Sequence, residues 1–100
     1  MVVFASAADR QLRWLPLYAQ RLIIGGIRTH LIDNDPLETT QNKFRLRHPS
    51  VHTDYELRLG NWRVFYRVER IGPDRIKIKV ILVGEKRGNR LVIEGKEFVL

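Results

Sequence analysis

The chain has 100 residues, enough for one domain with a modest core and too few for two, so residues 1–100 are read as a single unit. Lys and Arg number 18 against 11 Asp and Glu, and the resulting formal net charge of +7 calls for a polyanionic partner, nucleic acid or an acidic protein. The 44% hydrophobic and 29% charged composition excludes disorder and a membrane-embedded class, and the lack of cysteine excludes disulfides, thiol nucleophiles and Cys-ligated metals.

Val2-Val3-Phe4 is a β-branched and aromatic run that reads as a first strand. Ser6 is placed to cap a short helix over 7–15, in which Ala8, Leu12 and Leu15 recur at helical spacing and Asp9 favours the dipole of the first turn. Ala5-Ser6-Ala7 mimics a cleavage site without the basic and apolar regions of a signal peptide, so mature sequence is expected. Pro16 opens a second helix whose buried stripe is Ile23, Ile27 and Leu31, with Gln20, Arg21 and Arg28 outward and His30 in a structural role. Gly25-Gly26 in that helix costs about 2 kcal/mol against two alanines, which implies close packing or a kink. Apolar runs such as Leu22 to Ile27 fall far short of a membrane span, and a cytoplasmic location is expected.

Residues 36–53 are polar and aperiodic, carrying Lys43, Arg45, Arg47, His48 and His52, and read as a long loop or partly extended arm. Asp54 to Leu59 then alternates strictly, Gly60-Asn61 is a two-residue hairpin signal, and Trp62 to Arg70 alternates again. This register sets Leu59 opposite Trp62, Leu57 opposite Val64 and Tyr55 opposite Tyr66 on the core side. Gly72-Pro73-Asp74 turns the chain into a third strand, with Ile76, Ile78, Val80 and Leu82 continuing the core face. A three-residue turn there pairs Glu69 with Lys77 and sets Val83 beside Arg63. Glu85 to Arg90 reads as a basic loop, and Leu91-Val92-Ile93 leads into a tail.

Alternation gives the opposite face as Asp54, Glu56 and Arg58, then Arg63, Phe65, Arg67 and Glu69, then Arg75, Lys77, Lys79 and Ile81. Arg58 faces Arg63 across the hairpin, and like charges so placed destabilise a sheet unless an anion sits between them. Arg58, Arg63 and Arg87 are therefore expected to converge on a phosphate, with Lys86 and Arg90 beside them and Phe65 free to stack on a base. A solvated face of charges is the bland alternative, to which the arginine pair and the adjoining basic loop are the counterweight. Glu56, His48 and His52 are candidates for a general base. No Walker-type phosphate loop, His-Glu-x-x-His or nucleophile elbow occurs, so neither metal nor cofactor is expected.

The hairpin Tyr55 to Val68 and the segment Val83 to Leu91, following a strand and a helical pair, resemble the RelE/ParE superfamily of toxins from bacterial type II toxin-antitoxin systems. The resemblance covers nearly the whole chain. It implies an α+β fold of order β-α-α-β-β-β, an N-terminal strand and helical hairpin followed by an antiparallel meander. It also implies a ribosome-dependent, metal-independent endoribonuclease that cuts mRNA by attack of the 2′-hydroxyl, and a cognate antitoxin. Carried over by position, the catalytic residues are Arg63, Arg58 and Arg87, with Lys86 close by; Arg90, Arg67, Lys77, Lys79 and His52 would help to bind RNA. Glu56 stands where RelE has lysine, and Ile93 lies near the place of its tyrosine, so Glu56, His52 or His48 would have to supply the base. These departures keep two alternatives open: a ParE-like toxin that binds DNA gyrase without cleaving RNA, and a non-toxic relative acting as a corepressor.

Overall fold

A short strand, β1 (Val2–Phe4), opens the chain and is followed by α1 (Ser6–Trp14) and α2 (Leu17–Ile27), the latter running into one π-helical turn over Arg28–Ile32. The remaining strands are β2 (Lys43–Arg45), β3 (Tyr55–Leu59), β4 (Trp62–Gly72), β5 (Arg75–Arg87), β6 (Arg90–Ile93) and β7 (Lys96–Phe98). The computed structural model describes residues 1–47 and 53–99. The expected β-α-α-β-β-β order is present, with β2, β6 and β7 lengthening the meander: strands β2 to β7 lie in sequence order, and β1 pairs in parallel with β5. None of the described helices is long and apolar enough to cross a membrane.

Pro16 occupies the N-cap of α2 as its fixed φ allows. Ser6 does not cap α1: Ala5 holds that position, and no side chain satisfies the first turn. The helices bury Ala8 and Leu12 from α1 and Ala19, Ile23 and Ile27 from α2 against Leu57, Val64, Tyr66 and Val80 of the sheet. At Gly26 a Cβ atom would stand 2.4 Å from Leu59 Cδ1, so close packing accounts for this glycine; at Gly25 it would meet nothing within 4 Å.

The expected polar arm is partly a strand, because β2 pairs antiparallel with β3. Lys43 within it is 1% exposed, and its ammonium donates to the carbonyls of His30 (2.8 Å) and Asp35 (2.7 Å). A buried cation thereby satisfies backbone acceptors at and beyond the helix end, where orphan carbonyls collect. Tyr66 closes the same corner by donating its hydroxyl to Pro36 O at 2.7 Å; burial, reinforced by Tyr55 and Asp35, raises its pKa above the ordinary phenol range.

The β3–β4 register is the expected one, from Leu59↔Trp62 to Tyr55↔Tyr66. Glu69 also meets Lys77, at 3.2 Å. The pairing of β4 with β5 then departs from simple alternation: Phe65 pairs with Leu82 but Tyr66 with Val80, and Ile81 is passed over as a bulge. Two expectations are corrected in consequence. Leu82 lies on the face away from the helices, in a small cluster with Phe65 and Ile93, while Val83 takes its place in the main core. Arg63 stands opposite Gly84, with Val83 paired to Val64.

The expected basic loop is also replaced by strand. β5 continues through Gly84 to Arg87, turns at Gly88-Asn89 with Gly88 at φ +59°, and returns as β6. Gly84 permits this fold-back: a Cβ there would lie 2.8 Å from both Ile93 Cγ1 and Val92 O.

Candidate nucleic-acid interface

Arg58 and Arg63 face each other across β3 and β4, as the two-residue turn requires. Arg58 is held from two sides. Its Nε is ion-paired with Glu56, and its guanidinium lies over the Phe44 ring at 4.3 Å from the centroid. Glu56 is itself nearly buried, and its carboxylate is already engaged as Arg58's counter-ion. Arg63 has no ion-pair partner among the described residues; its Nη1 donates to Gly60 O (2.7 Å) and Trp62 O (3.0 Å), anchoring it at the hairpin turn. Desolvation and the neighbouring Arg58 charge lower its pKa, offset in part by Glu56. A guanidinium so perturbed remains charged near neutrality, and an arriving anion would relieve the repulsion.

The bulge at Ile81 decides which basic residue joins this pair. Two positions beyond Gly84, Lys86 shares the open face with Arg63. Arg87 alternates to the helix side, where its Nε donates to Glu85 at 2.8 Å, and Glu85 pairs with the core-packed Trp62. The basic residue that shares the face of the Arg58–Arg63 pair is thus Lys86 and not the expected Arg87. The segment expected to be a basic loop is strand, and its alternation decides which side chain faces the cleft.

β6 and β7 form one wall of a cleft of about 300 Å³ lined by Glu56, Arg63, Lys86, Arg90 and Phe98, with Phe65 at its base. Phe65 is 2% exposed beneath Leu46, Ile81 and Leu91, so it offers no open ring for stacking, against expectation. The aromatic exposed in the cleft is Phe98, at 37%, which the sequence reading left in an unassigned tail. Phe44 and Gly84 were likewise missed; a glycine inside an apolar run was the available signal.

Arg67, Lys77 and Lys79 lie farther along the same face, whereas Arg90 pairs with Arg87 and reaches the cleft from its edge. Arg67 is paired with Asp54 at 3.4 Å and sits opposite Lys79, and Lys77 is engaged by Glu69. Arg90 reaches Glu97 at 3.9 Å. His48 and His52 lie outside the described residues. Among the described residues no group of three or more His, Cys, Asp or Glu side chains gathers as a metal site would require.

No protein-family model and no curated protein matches the sequence. Among solved structures, a chain of the RelBE2 toxin-antitoxin complex from Mycobacterium tuberculosis aligns with a TM-score of 0.60, covering 87% of this chain and 96% of that chain at 23% identity. That likeness, together with the strand order and helical pair described above, gives this chain the RelE/ParE-like fold.

Proposed function

We propose that this chain is the toxin of a toxin-antitoxin pair and that its open sheet face grips the backbone of messenger RNA on the ribosome for cleavage. The observation that carries this reading is Arg63, a partly desolvated guanidinium without an ion-pair partner among the described residues, pressed by Arg58 and opening with Lys86 onto one cleft. Arg63 and Lys86 would hold the scissile phosphate and offset the charge that grows on it as the 2′-hydroxyl attacks; one such donor supplies roughly 3 kcal/mol. Arg58, fixed by Glu56 and Phe44, would orient the strand. The base that takes the hydroxyl proton is Glu56, if substrate draws Arg58 away from it, or one of His48 and His52. Arg63→Ala should abolish growth inhibition and the appearance of new mRNA 5′ ends after induction while leaving the far-ultraviolet circular dichroism unchanged. A fully toxic Arg63→Ala protein refutes the assignment.

The engagement of Glu56 by Arg58 favours one second reading, a toxin that binds without cutting, with DNA gyrase as target. Induction would then leave mRNA 5′ ends unchanged, and the purified protein would inhibit supercoiling.

A further inference from the structure

The β6–β7 hairpin walls the cleft, yet the sheet holds its outer strand along one edge only. β6 pairs with β5 over Glu85, Lys86 and Arg87, and Ile93 anchors it in the small apolar cluster. β7 is three residues long, pairs with β6 alone, and exposes all three. Phe98 stands at its far end, opposite Leu91 and three residues beyond the turn, a reach of roughly 10 Å at the rise of a strand. The turn itself, Glu94-Gly95, is gripped from the helical layer. Arg10 Nε donates to Glu94 Oε1 at 3.1 Å. One turn farther along α1, the Trp14 ring lies so near Gly95 that a Cβ there would stand 3.3 Å from its Cζ2 and Cη2. Trp14 is 52% exposed and lies outside the main core. Glu94 holds φ +52° and Gly95 +79°, and among the described residues no other non-glycine residue has a positive value. Two consecutive residues of that hand make the tight hairpin turn that follows the twist of its strands, and asparagine, aspartate or glycine is its usual first residue. Glutamate is not suited to the place by conformation; its carboxylate is what reaches Arg10.

We propose that Arg10 and Trp14 are positioning residues for the cleft: they clamp the β6–β7 turn to α1 and thereby hold Phe98 at the wall. This rests on the reading of the cleft as an RNA site. Neither residue lines the cleft, so each acts through the hairpin. An ion pair as exposed as Arg10–Glu94 adds little to global stability. Its effect falls on the strand that has the least support, and a tilt at the turn is carried along β7 to Phe98.

The test measures the affinity of the intact protein for a fluorescein-labelled single-stranded RNA by anisotropy, together with amide hydrogen exchange along β6 and β7. Trp14→Ala should weaken binding about tenfold and speed exchange at residues 96–98 by a similar factor, with Trp14→Phe restoring most of both. Arg10→Glu should weaken binding about threefold. So should Glu94→Arg, although it makes the protein more basic, and the double substitution Arg10→Glu/Glu94→Arg should return the affinity to within about twofold of the unsubstituted protein. In a Phe98→Ala background Trp14→Ala should cost less than about twofold, because the side chain it holds in place is gone. Tighter binding by Glu94→Arg, no recovery in the charge-swapped protein, or an equal cost of Trp14→Ala in both backgrounds overturns the proposal. If Arg63→Ala leaves the RNA affinity unchanged, it is the reading of the cleft that fails. Exchange at residues 96–98 then decides the clamp by itself: faster exchange in Trp14→Ala upholds it, and unchanged exchange overturns it.

Discussion

Beneath the helices, Leu57, Val64 and Tyr66 are fully enclosed, and each apolar side chain is covered by another. Across the sheet, Phe65, Leu82 and Ile93 form an island with Leu46, Ile81 and Leu91 at its edge, and cations surround it. The first cluster carries the burial that holds the domain together. The second supports the floor of a charged cleft and leaves Arg63 and Lys86 at its rim. One strand pair can therefore serve stability with one set of side chains and ligand recognition with the next, provided the alternation is kept in frame.

This division is broken most severely from the core. Leu57→Ala, at a fully buried site, should cost about 2–5 kcal/mol in urea unfolding, and the loss of binding that follows should track the unfolded fraction. On the open face the order reverses: Lys86→Ala should lower RNA cleavage by about 10²-fold or more with no shift in the unfolding midpoint. Lys43→Met tests whether a basic residue of the expected arm belongs to stability instead. Removing its ammonium leaves the His30 and Asp35 carbonyls unsatisfied, a loss of about 1–3 kcal/mol with no direct change in the cleft. Arg87→Ala, next in sequence to Lys86 but on the helix side, should alter neither activity nor stability by more than about 0.5 kcal/mol. Equal losses from Lys86→Ala and Arg87→Ala would show that the two faces are not separated as described.

Tyr66 adds a pH test on the core side. Its folded-state pKa is raised by burial, so its contribution is fully present below the unfolded phenol value near 10 and is lost as pH rises above it. The urea midpoint should therefore fall above about pH 10, and Tyr66→Phe, though less stable at neutrality, should flatten that fall.

The β3–β4 hairpin was legible because, Phe65 apart, polar and apolar residues alternate on both sides of Gly60-Asn61, and only one register buries Leu57 and Val64 together. β5 was legible only as far as Val80. Val80-Ile81-Leu82-Val83 is apolar in either frame, so period two carries no information there and the bulge passed unseen; Leu82 and Val83 were misplaced by that one residue, and Arg87 because 85–90 reads as a loop. Lys43 was illegible for a different reason. A lysine is buried only when acceptors from distant segments converge on it, and the carbonyls of His30 and Asp35 leave no trace in local pattern. Phe65 looked free because Arg63 and Arg67, next to it on the same face of the strand, are charged, whereas its covering residues come from β5, β6 and the segment after β2.

The skipped residue in β5 links two positions that otherwise look unrelated. A lineage that paired this strand without interruption would bring residue 83 under Ile93, where the space between strands admits only a hydrogen. It would need its glycine one place earlier, and the carboxylate at 85 would then stand where the ammonium at 86 stands now. Relatives of this chain should accordingly fall into two kinds, those with an interruption and a small residue at 84, and those with neither interruption nor bulk at 83. The interruption is thus what sets an ammonium, and not a carboxylate, beside Arg63.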